Sequence, residues 1–161
     1  MTVAEFNTCV DEFSDGVYRF ILKNIRDNEA AKDIVQESFA RVWDKRKEVA
    51  SDKAKTYLFT TAYHTMIDMI RKDKRNTEFN ASHHNFSTVD NDYSDLSEIL
   101  EKAVNTLPEI QRTVVLLRDY EGYSYKEIGD ITGLNEPQVK VYIYRARLLL
   151  KQYIVSLDNV V

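Results

Sequence analysis

Residues 136–151 carry Lys140, Arg145, Arg147 and Lys151 against one acidic residue, Glu136, an excess of three positive charges in a chain whose formal net charge is −4. Within the same stretch Val139, Ile143, Ala146 and Leu150 recur at helical spacing. A helix here turns those four residues toward a core and leaves Lys140, Tyr144, Arg147 and Lys151 on its other faces. That arrangement suits duplex DNA, because basic side chains engage phosphates while the N-terminal residues of a helix in the major groove reach base edges. A helical hairpin with a merely solvated charged face is the plain alternative, and the local signals described below weigh against it.

A second cluster lies earlier. Arg71, Lys72, Lys74 and Arg75 surround Asp73, and Tyr57, Phe59, Tyr63 and His64 precede them. Aromatic rings beside a basic patch suit unstacked bases, since every base has a face to stack on and its backbone is drawn by charge. Composition alone leaves a second reading open, in which lysine and arginine favour a helix C-terminus and the aromatics are core. Catalytic patterns are missing. His83 and His84 with Asp90 and Asp92 lack metal-ligand spacing, and there is no Ser-His-Asp set, glycine-rich phosphate loop or cysteine cluster. No enzymatic activity, metal or cofactor is expected.

The elements that must hold these residues are helical. Ser124 with Glu127 three residues on forms a capping box for a helix whose inward residues are Ile128 and Ile131. Gly133 ends it in a left-handed conformation, Asn135 caps the next helix, and Pro137 sits in that helix's first turn, where a missing N–H costs nothing. These signals describe a helix-turn-helix with its second helix starting near Glu136. Upstream, Asp95–Asn105 reads as a helix opened by an Asp95 to Glu98 capping box, and the run from Thr106 to Glu109 is expected to stop it and cap the next. That next helix carries Ile110, Val114, Leu117 and Tyr120, with Arg112 and Arg118 as further cations.

Three more helices are expected near the N-terminus. Val3–Ile25 has the stripe Phe6, Cys9, Val10, Phe13, Val17, Phe20 and Ile21, with a bend expected at Ser14, Asp15 and Gly16. The second runs from Asn28 to about Arg46. It buries Ala31, Ile34, Val35, Ser38, Phe39, Val42 and Trp43 and leaves Lys32, Asp33, Gln36, Glu37 and Arg41 on a polar face. The third runs from a Ser51 or Asp52 cap to about Lys74, with Leu58, Phe59, Ala62, Met66, Ile67 and Ile70 inward.

Between the two helical blocks, residues 76–101 contain six acidic residues and no lysine or arginine. Their first part has isolated Phe79, Phe86 and Val89 without periodicity, the composition of a polar acidic linker. The fold class is therefore all-α: a helical domain over 1–75, a linker over 76–94 and a helix-turn-helix domain over 95–161. With 26 acidic against 22 basic residues, the chain lacks the basicity of a protein that grips DNA unaided, so a partner is expected to supply affinity. The single Cys9 fits a reducing compartment and a core position. No apolar run is long enough to span a bilayer and no basic-then-apolar leader opens the chain, so a cytoplasmic protein without membrane insertion is expected.

The ordered motifs resemble one family along nearly the whole chain: the sigma factors of bacterial RNA polymerase, in the small extracytoplasmic-function group. The stretch Ala31-Lys-Asp-Ile-Val-Gln-Glu-Ser-Phe-Ala-Arg-Val-Trp43 is similar to the family's segment that docks on the β′ clamp helices. Residues 57–71 resemble its promoter-melting helix. Leu107-Pro-Glu, residues 117–128 and residues 139–147 resemble the domain that reads the −35 element.

The resemblance implies several roles. Core RNA polymerase, through its β′ clamp helices and β flap, would supply nonspecific DNA affinity, with Asp33, Gln36, Glu37 and Arg41 as its contacts. Lys140, Val141, Tyr144 and Arg145 would read −35 bases, with Arg147 and Arg118 beside them. Ser51, Lys55, Tyr57, His64 and Asp68 would serve the −10 element, where an extruded base is trapped, and Arg71, Lys72, Lys74 and Arg75 would hold the strand backbone. An anti-sigma factor is a further implied partner. His64 stands where the family commonly has asparagine. Val141 and Tyr142 replace small polar and basic residues and favour apolar contact, for instance with a thymine methyl. A free-standing helix-turn-helix regulator, usually dimeric, is the alternative from another class.

Overall fold

The computed structural model describes residues 1–80 and 95–158, with side chains described over residues 1–76 and 96–157. Every regular element among them is helical. Contacts divide the chain into two compact units, Met1–Val89 and Asp90–Val161.

The first unit packs three helices against one another: α1 (Val3–Ile25), α2 (Asn28–Lys45) and α3 (Ala54–Asn80). Thr2 and Glu5 form a reciprocal capping box at the start of α1, with bonds of 3.1 and 3.0 Å. Asp27 caps α2 by accepting from the N–H groups of Glu29 and Ala30. Val17, Phe20, Ile21, Ile34, Val42, Leu58, Phe59, Ala62 and Met66 are buried together, with the Phe20 and Phe59 rings 5.7 Å apart. Each large side chain so placed contributes roughly 1.5–3 kcal/mol relative to exposure. The buried polar groups are satisfied locally: Asn24 donates to the Phe20 carbonyl and Ser38 to that of Ile34.

Three expectations need correction in this unit. The helix α1 runs unbroken through Ser14, Asp15 and Gly16. One mid-helix glycine costs about 1 kcal/mol relative to alanine, less than the packing of Val17, Phe20 and Ile21 just beyond it returns. The helix α3 does not start directly at Ser51 or Asp52, because both lie in a 3-10 turn over Ser51–Lys53 that leads into α3 at Ala54. The Glu5 carboxylate is held below its ordinary pKa by the Thr2 backbone N–H first, with the Ser51 side chain acting in the same direction. Finally, α3 continues past Lys74 to Asn80, since residues 75–80 contain neither proline nor glycine to stop it. The rest of the expected linker, with Phe86 and Val89, lies outside the described residues.

The second unit holds α4 (Asp95–Asn105), α5 (Glu109–Val115), a π turn over Leu116–Tyr120, α6 (Tyr125–Thr132) and α7 (Glu136–Asp158). Leu107, Val115 and Ala146 form one buried cluster with Leu150 packed against it. Thr106 closes α4 by donating to the Ala103 carbonyl at 2.7 Å. It does not cap α5, which follows Pro108 with no side-chain cap at all. The side chain of Asp95 lies outside the described residues, and Glu98 pairs with Lys102 at 3.3 Å.

Candidate nucleic-acid interfaces

The turn between α6 and α7 is built by local chemistry. Ser124 and Glu127 satisfy each other's backbone N–H groups at 3.1 Å each, and Gly133 adopts φ 80°, ψ 9° at the end of α6. Asn135 and Gln138 form a second reciprocal cap, with bonds of 2.8 and 3.0 Å, at the start of α7. Ile128, Ile131, Val139, Ile143 and Ala146 are fully buried, which sets the rotation of α7. Lys140, Val141, Tyr144, Arg145 and Arg147 are all exposed on the opposite side, Tyr144 at 67% of its free surface. Tyr142 is half-buried, with the Arg145 guanidinium 5.9 Å from its ring centre.

Two residues outside the sequence-based set join this surface. The Tyr125 ring has the Arg118 guanidinium 4.4 Å from its centre and the Lys140 ammonium at 5.5 Å, both within the range of cation–π attraction. Asp119 accepts from Nε of Arg147 at 3.2 Å and from Nη2 at 2.6 Å. This bond is the leading cause of a raised Arg147 pKa, so the guanidinium stays charged. Arg118, grouped in the sequence with the DNA-contacting residues, is half-buried and also donates to the Tyr123 carbonyl at 2.8 Å. It braces the loop before α6. Signals for Tyr125 and Asp119 were weak: each is one polar or aromatic residue at a helix end, and its partners lie up to 28 positions away.

In the first unit, Tyr57, His64, Asp68, Arg71 and Arg75 follow the three-and-four spacing that places them on one face of α3. Lys72 and Lys74 flank that face on either side. His64, Asp68, Arg71, Lys72, Lys74 and Arg75 are exposed, and Asp68, Arg71, Lys74 and Arg75 line an open concavity. The His64 ring lies 5.5 Å from that of Tyr63. At the start of the helix Ser51 is exposed and Lys55 is half-buried, its ammonium 5.9 Å from the Phe13 ring centre.

On α2, Asp33, Gln36, Glu37 and Arg41 are all exposed, with Glu37 and Arg41 paired at 2.6 Å. Behind this face Trp43 is covered by Arg46, 3.7 Å from its ring centre, and by the edge of Phe6. Among the described residues no group of His, Cys, Asp or Glu is placed to hold a metal. His83, His84, Asp90 and Asp92 lie outside them. Nor is any described helix long and apolar enough to cross a membrane.

Comparison with known families matches residues 9–76 to Sigma-70 region 2 and residues 97–150 to Sigma-70, region 4. The chain belongs to the sigma-70 family, in its extracytoplasmic-function group. RNA polymerase sigma factor SigV of Bacillus subtilis (strain 168) is 29% identical over 153 residues, which cover 93% of this chain and 91% of SigV. ECF RNA polymerase sigma factor SigM of the same organism is 28% identical over 144 residues, covering 86% and 88%. The fold is shared with sigma factor RpoE of Bartonella quintana, solved in complex with the anti-sigma factor NepR, at a TM-score of 0.86 and 24% identity over 94% of this chain and 98% of that one. The sigma region 2 match contains the exposed face of α2 and the basic stripe of α3. The sigma region 4 match contains the helix-turn-helix.

Proposed function

We propose that this sigma-70 family protein is a specificity subunit, without catalytic residues of its own, that binds core RNA polymerase and directs it to promoters. In this reading Asp33, Gln36, Glu37 and Arg41 meet the β′ clamp helices, and the second unit reaches the β flap. The face of α3 from Tyr57 to Arg75, with Ser51 and Lys55 at its start, takes the −10 element and the melted strand. Lys140, Val141, Tyr144 and Arg145 read −35 base edges from the major groove, Arg147 lies on the backbone beside them, and Arg118 supports the surface from behind.

The observation that carries this reading is the co-occurrence of both family regions in one chain, each presenting its polar or basic face to solvent. A free-standing regulator would need the helix-turn-helix alone and would leave the α2 and α3 faces without a role. The net charge of −4 agrees, because a partner must then supply the nonspecific attraction to DNA. An anti-sigma factor is proposed as a second partner, by analogy with the solved complexes of RpoE with NepR and of CnrH with the cytosolic domain of CnrY. The proposed location is the cytoplasm, where polymerase and promoters are.

Run-off transcription with purified cognate core on genomic fragments tests the proposal. Initiation at a defined set of sites, only when both components are present, is the expected outcome. Tight sequence-specific DNA binding by the isolated chain, with no complex formed with core, would support the regulator instead.

A further inference from the structure

The pairing of Asp119 with Arg147 places a carboxylate beside one of the basic groups on the DNA-facing side of α7, where charge counting alone says it should weaken DNA binding. Both partners are solvent-exposed, at 38% and 50% of their side-chain surface, so the pair adds little to stability. Geometry offers a better account. The bonds from Nε and Nη2 use one edge of the guanidinium, and Nη1 takes part in neither. Arginine carries five N–H donors in a rigid fork, so two go to the carboxylate and, with the Tyr125 side chain as a further neighbour, donors remain for an acceptor in front of the group.

The backbone is shaped to deliver that carboxylate. Across the π turn the Glu121 N–H reaches back to the Leu116 carbonyl at 3.1 Å, and the Tyr123 N–H to that of Leu117 at 3.0 Å. The widened turn lets consecutive residues both meet the helix-turn-helix, Arg118 at Tyr123 and Tyr125 and Asp119 at Arg147. Arg147 is thereby tied across 28 residues to a separate element.

We propose that Asp119 is a positioning residue for promoter recognition: it holds the Arg147 guanidinium side-on, so that the opposite edge is already aimed at a backbone phosphate of the duplex. Fixing a long side chain beforehand removes the ordering cost otherwise met on binding. This rests on the proposal that α7 faces duplex DNA, and the test separates the two.

Holoenzyme assembled from purified core binds a fluorescent promoter fragment across a salt series. The chains compared are the unaltered protein, Asp119→Ala, Asp119→Asn, Arg147→Ala, the double variant Asp119→Ala with Arg147→Ala, and Lys140→Ala. Asp119→Ala is expected to weaken binding about three- to tenfold although it removes a negative charge, and to lower the slope of log K against log salt by about one, as Arg147→Ala does. In the double variant, Asp119→Ala should add nothing further. Asp119→Asn, which retains one acceptor and the shape, should fall between. Tighter or unchanged binding by Asp119→Ala overturns the proposal, and so does an undiminished effect in the Arg147→Ala background. If Lys140→Ala and Arg147→Ala both leave binding unchanged, it is the DNA-facing assignment of α7 that fails. If Lys140→Ala weakens binding while Asp119→Ala does not, only the positioning role falls.

Discussion

Gly129 faces Leu134 across the turn of the helix-turn-helix so closely that a Cβ on Gly129 would lie 2.7 Å from the Leu134 carbonyl oxygen. That oxygen belongs to backbone fixed by Gly133 on one side and the Asn135 cap on the other, so it cannot easily retreat. Gly129→Ala is expected to destabilise the second unit by about 1–3 kcal/mol, despite alanine's better helix propensity. Urea unfolding followed by circular dichroism measures this. A gain in stability would show that the turn yields more readily than its hydrogen bonds indicate.

Lys140 and Arg145 should separate from Arg118 in what they affect. The first two are exposed and lie no nearer than 5.5 Å to the centre of a ring, whereas Arg118 is half-buried, donates to the Tyr123 carbonyl and lies 4.4 Å from the centre of the Tyr125 ring. Lys140→Ala and Arg145→Ala should therefore leave unfolding midpoints unchanged and weaken use of promoters through their −35 side, by about 1–3 kcal/mol for a good base contact. Arg118→Ala should lower the stability of the second unit by about 1 kcal/mol or more. Thermal melts run beside transcription assays distinguish the two patterns, and equal melting losses for all three variants would contradict the division.

The contrast between these residues also explains what the sequence made legible. Helix ends in the second unit are governed by neighbours a few positions apart, so Ser124 with Glu127, Gly133 and Asn135 announce the helix-turn-helix directly. The buried faces follow from spacing, and Ile128, Ile131, Val139, Ile143 and Ala146 are all in the core. Gly16 shows the opposite case: its local tendency to break α1 is overridden by packing from α2 and α3. Ser51 has the side chain of a cap, yet it lies inside the 3-10 turn that precedes α3, a turn that residue type does not announce. Likewise the link from Asp119 to Arg147 depends on a π turn and a 28-residue separation, neither of which has a periodic signature.

Burial pushes the Tyr123 hydroxyl far above its ordinary pKa, with Glu127 and Glu121 acting in the same direction, and Tyr120 is raised too. In the unfolded chain a tyrosine loses its proton near pH 10, whereas the folded state still holds it. Above that pH the unfolded state binds fewer protons, so stability falls as pH rises, by up to about 1.4 kcal/mol per pH unit for the buried Tyr123. Urea titrations between pH 9 and about 11.5 should show this steepening. Tyr123→Phe should flatten it, and an identical alkaline slope in that variant would exclude Tyr123 as the cause.

On α2, the exposed side chains Asp33, Gln36 and Glu37 share a face with Arg41, and the Glu37 to Arg41 pair is about half-exposed at both ends. Such an i,i+4 pair contributes only about 0.3–0.5 kcal/mol, so alanine at any of these positions should leave the fold nearly as stable as before. Binding is a different matter, since a polar face buried against core polymerase would lose contacts that solvent does not replace. Asp33→Ala, Gln36→Ala and Glu37→Ala are expected to weaken competition for core by severalfold each, with unchanged helicity. Competition with a labelled sigma factor for limiting core measures the effect. Unchanged competition by all three variants would mean that this face is merely solvated and that core is held elsewhere.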